Sequence, residues 1–106
     1  MSHKPYKMFL DDLRQPPDNT WIVVRSYDTA VEYVRVFGMP ETISFDHDLG
    51  LDKTGYDFAK FIVDLDLDLN VFTPEFRFYV HSANPVGASN IKNLLDGYLA
   101  FKFPVA

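Results

Sequence analysis

The sequence contains no cysteine. That single absence excludes a disulfide scaffold, a thiolate zinc site and a cysteine nucleophile. Long apolar runs are also missing, since the uninterrupted ones span a few residues against the roughly 20 that a membrane helix requires. No charged start followed by an apolar segment opens the chain, so no signal peptide is read and a cytoplasmic location is expected. Glutamate is scarce, with three against twelve aspartates. Aspartate is the poorer helix former and favours caps, turns and short-reach ligand positions, so where the aspartates fall is informative. Basic residues number 10 against 15 acidic ones, a net charge of −5. Such a surface repels phosphate backbones, and general binding of double-stranded nucleic acid is not expected.

What is present is apolar and aromatic. Of 106 residues, 47% are hydrophobic, with ten Phe and six Tyr. Rings of that size supply enough buried area for one domain over residues 1–106. Trp21 and the phenylalanine stripes read as core. No internal repeat, low-complexity tract or linker divides the chain.

Short β-rich runs alternate with helical stripes. Strands are expected at Tyr6–Leu10, Trp21–Arg25, Thr42–Phe45 and Phe76–Val80. Tyr27, Ala30, Val31, Val34 and Phe37 recur at helical spacing, with Ser26 or Asp28 as cap and Gly38 and Pro40 as stop. A loop holding Asp52 and Lys53 leads to Thr54, which can cap a second helix whose stripe is Phe58, Phe61, Ile62 and Leu65. The run Asp64–Asn70 alternates at period two but continues that helix, so it reads as helix end and connector with a solvated acidic face. Asn84 and Pro85 suit the start of a third helix, with Ile91, Leu94, Leu95 and Tyr98 as its stripe. The tail from Phe101 to Val105 reads as a short last strand. This alternation argues for an α/β domain with a mostly parallel sheet of 4–5 strands. About ten residues separate the first two strands, too few for a helical crossover, so that link should be a loop and the second strand's direction stays open.

Ligands in open α/β sheets bind beyond the carboxyl ends of the strands. Three strands here end in polar clusters: Asp11-Asp12, Asp46-His47-Asp48 and His81-Ser82-Ala83-Asn84. Parallel strands would bring all three to one edge. Carboxylates gathered there stay ionised together only around a cation or a basic side chain. An all-oxygen donor set favours a hard divalent ion, with Asp46 and Asp48 expected on one face by the period of a strand. His47 and His81 follow apolar strands, where an imidazole pair can divide base and acid roles near neutrality. Ser82 and Asn84 lead into a helix start whose free N–H groups attract anions, and Arg14 can clamp a phosphate. Plain alternatives stand beside these: caps for the aspartates and Asn84, strand-end hydrogen bonds for the histidines. His3 lies in a terminal stretch and is set aside. No Walker loop, dinucleotide fingerprint or HExxH is present.

The clusters resemble receiver domains of two-component response regulators. By that resemblance, Asp11 and Asp12 would be the acidic pair, Asp46 the acceptor position and Ser82 the phosphoryl-binding hydroxyl, with Lys102 the loosest match, to the receiver lysine. LDDLRQPP, ISFDHDLG, TGYDFAKF and VHSANPVGASN are more closely similar to the receiver-like cyclic-phosphate-processing family, from about Met8 to Leu99. The resemblance implies a three-layer, flavodoxin-like domain in abbreviated form; the sequence departs from ordinary receivers in that the proline loop stands in place of the first helix and the final helix is missing. It also implies Mg²⁺ or Mn²⁺ held by Asp11, Asp12 and Asp46, with Asp48 beside them, and a phosphate-bearing small molecule or RNA end as partner. His47, His81 and Asp46 would then be catalytic, and Arg14, Ser82 and Asn84 would orient the phosphate during hydrolysis of a cyclic phosphate. The rival expectation is a non-catalytic switch or a nucleotide- or partner-binding module, and a protein partner is compatible with either.

Overall fold

A computed structural model describes residues 5–49 and 53–104. His3, Asp52 and Val105 lie outside the described residues. The elements run β1 (Lys7–Leu10), β2 (Trp21–Val24), α1 (Tyr27–Phe37), β3 (Thr42–Phe45), α2 (Gly55–Leu69), β4 (Arg77–Val80) and α3 (Pro85–Lys102). The strands form one parallel sheet in the order β2-β1-β3-β4. That is the flavodoxin-like order without its last strand, as a receiver-like α/β domain requires. The direction left open by the sequence is settled: β2 is parallel to β1, reached through the proline loop instead of a helix.

Local signals fix each helix. Ser26 caps α1 by accepting from the Thr29 N–H. Thr54 and Asp57 form a reciprocal capping box at the start of α2, and Asn70 closes it in the left-handed conformation. Asn84 caps α3 with Pro85 in the first turn. The expected last strand is instead the end of α3, which runs to Lys102. The helical register continues there because Tyr98 and Lys102, four residues apart, both reach Asp66 on α2.

The crossovers β2-α1-β3 and β3-α2-β4 advance the same way along the sheet. Right-handed connections therefore place α1 and α2 on one face, and α3 packs beside α2. Met8, Leu10, Val24, Ile43 and Phe45 point into that layer and join Phe58, Ile62, Ile91 and Leu95 in the core. The alternate strand residues, among them Lys7, Phe9, Trp21, Ser44 and Tyr79, face the other way. No helix covers that second face among the described residues, so the third layer implied by the resemblance is not filled. Trp21, read as core, is only half-buried there, with the Lys7 ammonium 4.5 Å from its ring centre.

The acidic run at the end of α2 is not wholly solvated. Asp66 is buried, and accepts from the Phe72 N–H at 2.7 Å, the Tyr98 hydroxyl and the Lys102 ammonium at 2.7 Å. Burial raises its pKa, but Lys102, the Phe72 N–H and Tyr98 outweigh that and hold the carboxyl below its ordinary value. Lys102 thus staples α3 to α2 at the last turns of both helices. The clusters that follow the strands precede the first turns, so Lys102 sits at the far end from them and does not take the place of a receiver lysine.

Candidate active site

The sheet's hydrogen-bond ladder continues one residue past three strands. The Asp11 N–H donates to Val24, the Asp46 N–H to Leu10 and the His81 N–H to Phe45. Asp11, Asp46 and His81 therefore stand side by side at one edge. Asp11, Asp12 and Asp46 each offer a carboxylate oxygen, and those three oxygens lie within 4.8 Å of one another. Around them opens a cleft of about 330 Å³ lined by Asp11, Asp12, Leu13, Arg14, Asp46, Asp48 and Ala83.

Two of these carboxylates titrate in opposite directions. Asp11 is 1% exposed. Burial pushes its pKa up, but the N–H groups of Arg14 and Leu13, each 2.8 Å from Oδ1, and the His81 ring outweigh burial and hold it below its ordinary value. Asp46 moves up, through burial and then the charge of Asp11, against the Ser82 hydroxyl, the His47 N–H and His81. The nearest guanidinium nitrogen, Arg14 Nε, is 3.9 Å from Asp11 Oδ2, beyond hydrogen-bond distance. A buried anion pair with an oxygen-only donor set fits a hard divalent cation such as Mg²⁺ or Mn²⁺.

The two histidines differ. His81 stacks on Phe9 with ring centres 4.5 Å apart. Its Nε2 lies 2.9 Å from Asp11 Oδ2 and its Nδ1 2.7 Å from Ser44 Oγ. In the neutral ring the proton faces the Asp11 acceptor, and Nδ1 accepts from the Ser44 hydroxyl. Both nitrogens are engaged, so His81 holds Asp11 in place. His47 uses only Nδ1, 3.0 Å from Asp48 Oδ1, and among the described residues no protein group pairs with its Nε2. Two glycines allow this packing. A Cβ on Gly55 would lie 1.8 Å from the Asp46 carbonyl oxygen, and one on Gly87 would lie 2.2 Å from His47 Cγ.

The remaining candidates take distinct places. Asp48 lines the cleft but falls outside the three-carboxylate cluster, because β3 ends at Phe45 and strand alternation no longer applies. It faces His47 and the Asn84 amide, at 3.5 Å. Asn84 is engaged as the α3 cap through its Oδ1, and Ser82 Oγ accepts the Asn84 N–H. Arg14 is half-exposed and donates to the His81 carbonyl at 2.5 Å. Sequence reasoning missed Arg25, which ties the Asp11 and Arg14 carbonyls together, and Ser44. Ser44 carried a signal, as the polar residue two before Asp46 in an otherwise apolar strand.

Three strand-end clusters meeting at a buried acidic edge are the arrangement of receiver domains, and a family comparison makes the assignment narrower. The model of the cyclic-phosphate processing receiver domain matches residues 6–97. The chain belongs to this family. No curated protein and no solved structure matches the chain. No helix among the described residues of this receiver domain is long and apolar enough to cross a membrane.

Proposed function

We propose that this receiver domain hydrolyses a cyclic phosphate on a nucleotide or an RNA end in the cleft above Asp11, Asp12 and Asp46. The observation that carries the reading is the meeting of those three carboxylates in a cleft that Asp48 also lines, with the His47 ring beside Asp48 and its Nε2 unengaged by the described residues. Asp11, Asp12 and Asp46 would hold Mg²⁺ or Mn²⁺, which when bound neutralises phosphate charge and acidifies a coordinated water. Asp48 fixes the His47 tautomer by accepting from Nδ1, leaving Nε2 to take a proton from the attacking water. The water oxygen bonds to phosphorus as one ring P–O bond breaks. The released sugar oxygen takes a proton from water in the open cleft, giving a phosphomonoester. Arg14, the Ser82 hydroxyl and the start of α3 orient the phosphate. The position of Lys102 at the far end of α3 disfavours the rival reading of a phosphoryl switch.

The test is incubation of Mg²⁺- or Mn²⁺-loaded protein with 2′,3′- and 3′,5′-cyclic nucleotides and with an oligonucleotide bearing a cyclic end, followed by phosphorus NMR. At least one substrate should open to a monoester, and His47→Ala should slow it by about 100-fold or more. Absence of turnover across the panel overturns the proposal. So does a stable phosphoryl group on Asp46 after exposure to acetyl phosphate.

A further inference from the structure

Parallel sheets are ordinarily covered on both faces. Here no helix covers the opposite face among the described residues, and the strand register orders that face in rows, with Phe9 buried between Trp21 and His81. Trp21, Lys7 and Arg77 share one row, and Phe9 and Tyr79 the next. The third row is the site itself, with Asp11, Asp46 and His81. From Asp11 back to Lys7 is four residues, about 13 Å of strand.

Charge and rings select the occupant. Lys7 and Arg77 fall in the first row of this face, Arg77 with one guanidinium nitrogen on the Pro74 and Phe76 carbonyls, and the acidic side chains of the strand register, Asp11 and Asp46, are confined to the site row. Asp18, whose carboxyl is held low chiefly by Thr20 and slightly by Lys7, marks the rim in the loop before β2. Tyr79 is 59% exposed, and Trp21 is partly exposed beneath the Lys7 ammonium. Cations interleaved with accessible rings on a sheet suit a single nucleic-acid strand, with phosphates paired to the cations and bases stacked on the rings.

We infer that this open face binds the single strand leading to the phosphate-bearing end, so that the substrate is an oligonucleotide terminus and not a mononucleotide. The inference rests on the reading of the cleft given above. The strand approaches over Trp21 and Lys7 and delivers its terminal phosphate to the Asp11 row.

The experiment uses protein held in EDTA, so that nothing is turned over. Anisotropy is measured on a labelled single-stranded RNA hexamer with a cyclic-phosphate end, beside the matching cyclic mononucleotide as competitor. The hexamer should bind about ten-fold more tightly than the mononucleotide, weaken with added salt and quench the emission of Trp21, the sole tryptophan. Lys7→Ala with Arg77→Ala should cost about ten-fold and flatten the salt dependence. Trp21→Ala should weaken binding where Trp21→Phe retains it. Equal affinity for hexamer and mononucleotide overturns the inference. So does a concentration-dependent dimer that the Lys7 and Arg77 substitutions abolish, since the face would then belong to self-association. The two readings fail separately. Cyclic mononucleotide turnover without tighter hexamer binding removes the face and leaves the cleft. Tight hexamer binding that ignores the terminal phosphate, without turnover of any cyclic phosphate, removes the cleft and leaves the face.

Discussion

His81, just beyond the fourth strand, reaches over the third to Asp11 beyond the first, its Nε2 2.9 Å from the carboxylate and its Nδ1 2.7 Å from Ser44 Oγ. A carboxylate aimed by an imidazole, itself aimed by a buried hydroxyl, is the outer-shell arrangement that tunes metal ligands. His81→Ala should therefore weaken Mn²⁺ binding by about 10–100-fold. Ser44→Ala, which leaves the ring but frees its Nδ1, should give a smaller loss in the same direction. Titration of Mn²⁺ by electron spin resonance, set beside the thermal midpoint without metal, separates the two roles. A fall in midpoint with unchanged Mn²⁺ affinity would make His81 a packing residue only.

Asp46 is the carboxylate that the fold holds least comfortably. Burial and the charge of Asp11 raise its pKa in the folded state. Because the folded value exceeds the unfolded one, the associated stability is present at low pH and is lost as pH rises through the folded value. At neutral pH the ionised carboxyl is a cost that metal binding would offset. Asp46→Asn should thus raise the melting midpoint of the metal-free protein at neutral pH, by about 4–8 °C for each kcal/mol relieved in a domain of this size. The same variant should lose the further rise that Mg²⁺ gives the parent chain. A scanning calorimeter run with and without Mg²⁺ checks both, and a lower midpoint for the metal-free variant would refute the electrostatic account.

The opposite sign holds at Asp66. Lys102, the Phe72 N–H and Tyr98 overcome burial and keep its folded pKa below the unfolded one. That stability is present above the unfolded value and drains as pH falls through the folded one. Asp66→Ala leaves the Lys102 ammonium, with its side chain 16% exposed, without its carboxylate and with only the Asn70 Oδ1 acceptor, and should cost about 3 kcal/mol. Urea titrations at neutral pH and near pH 3 should show the gap between parent and variant narrowing in acid. A constant gap would mean that packing, not charge, accounts for the loss.

How much of this was legible in the sequence follows from the range of the interactions. Caps, helical stripes and apolar strand runs are local, and they located all four strands, the starts of all three helices and the strand-end clusters, while the direction of β2 stayed open. The Asp66 staple was half legible, since Phe58, Ile62 and Asp66 recur every four residues and place the aspartate on the buried face. Its partners lie 32 and 36 residues away, and nothing local names them. The same distance problem turned Phe101–Lys102 into an expected strand, because the reason α3 continues is a contact with α2. For His81 the sequence leaves an acid–base role and a strand-end hydrogen bond side by side, because its engagement with Asp11 spans 70 residues. The open face was hidden for another reason. A β-strand shows period-two alternation only when one face is polar, and the short runs Met8–Leu10 and Trp21–Val24 are apolar on both sides.

Two glycines on one helix give the sharpest contrast between packing for the site and packing for the fold. Gly87, in the first turn of α3, is where the His47 ring rests, and a Cβ there would meet Cγ at 2.2 Å. Gly97, further along the same helix, has nothing within 4 Å of the same atom. Gly97→Ala adds no contact and removes unfolded-state freedom, so it should stabilise the chain by about 0.5–1 kcal/mol. Gly87→Ala must push the imidazole off its seat and away from Asp48. On the proposed role of His47 as base, cyclic-phosphate turnover should fall by about ten-fold or more. Chemical-shift mapping of the His47 ring in both variants, beside urea midpoints and turnover, reads the two effects apart. Unchanged His47 shifts and full turnover in Gly87→Ala would show that the imidazole does not depend on that seat.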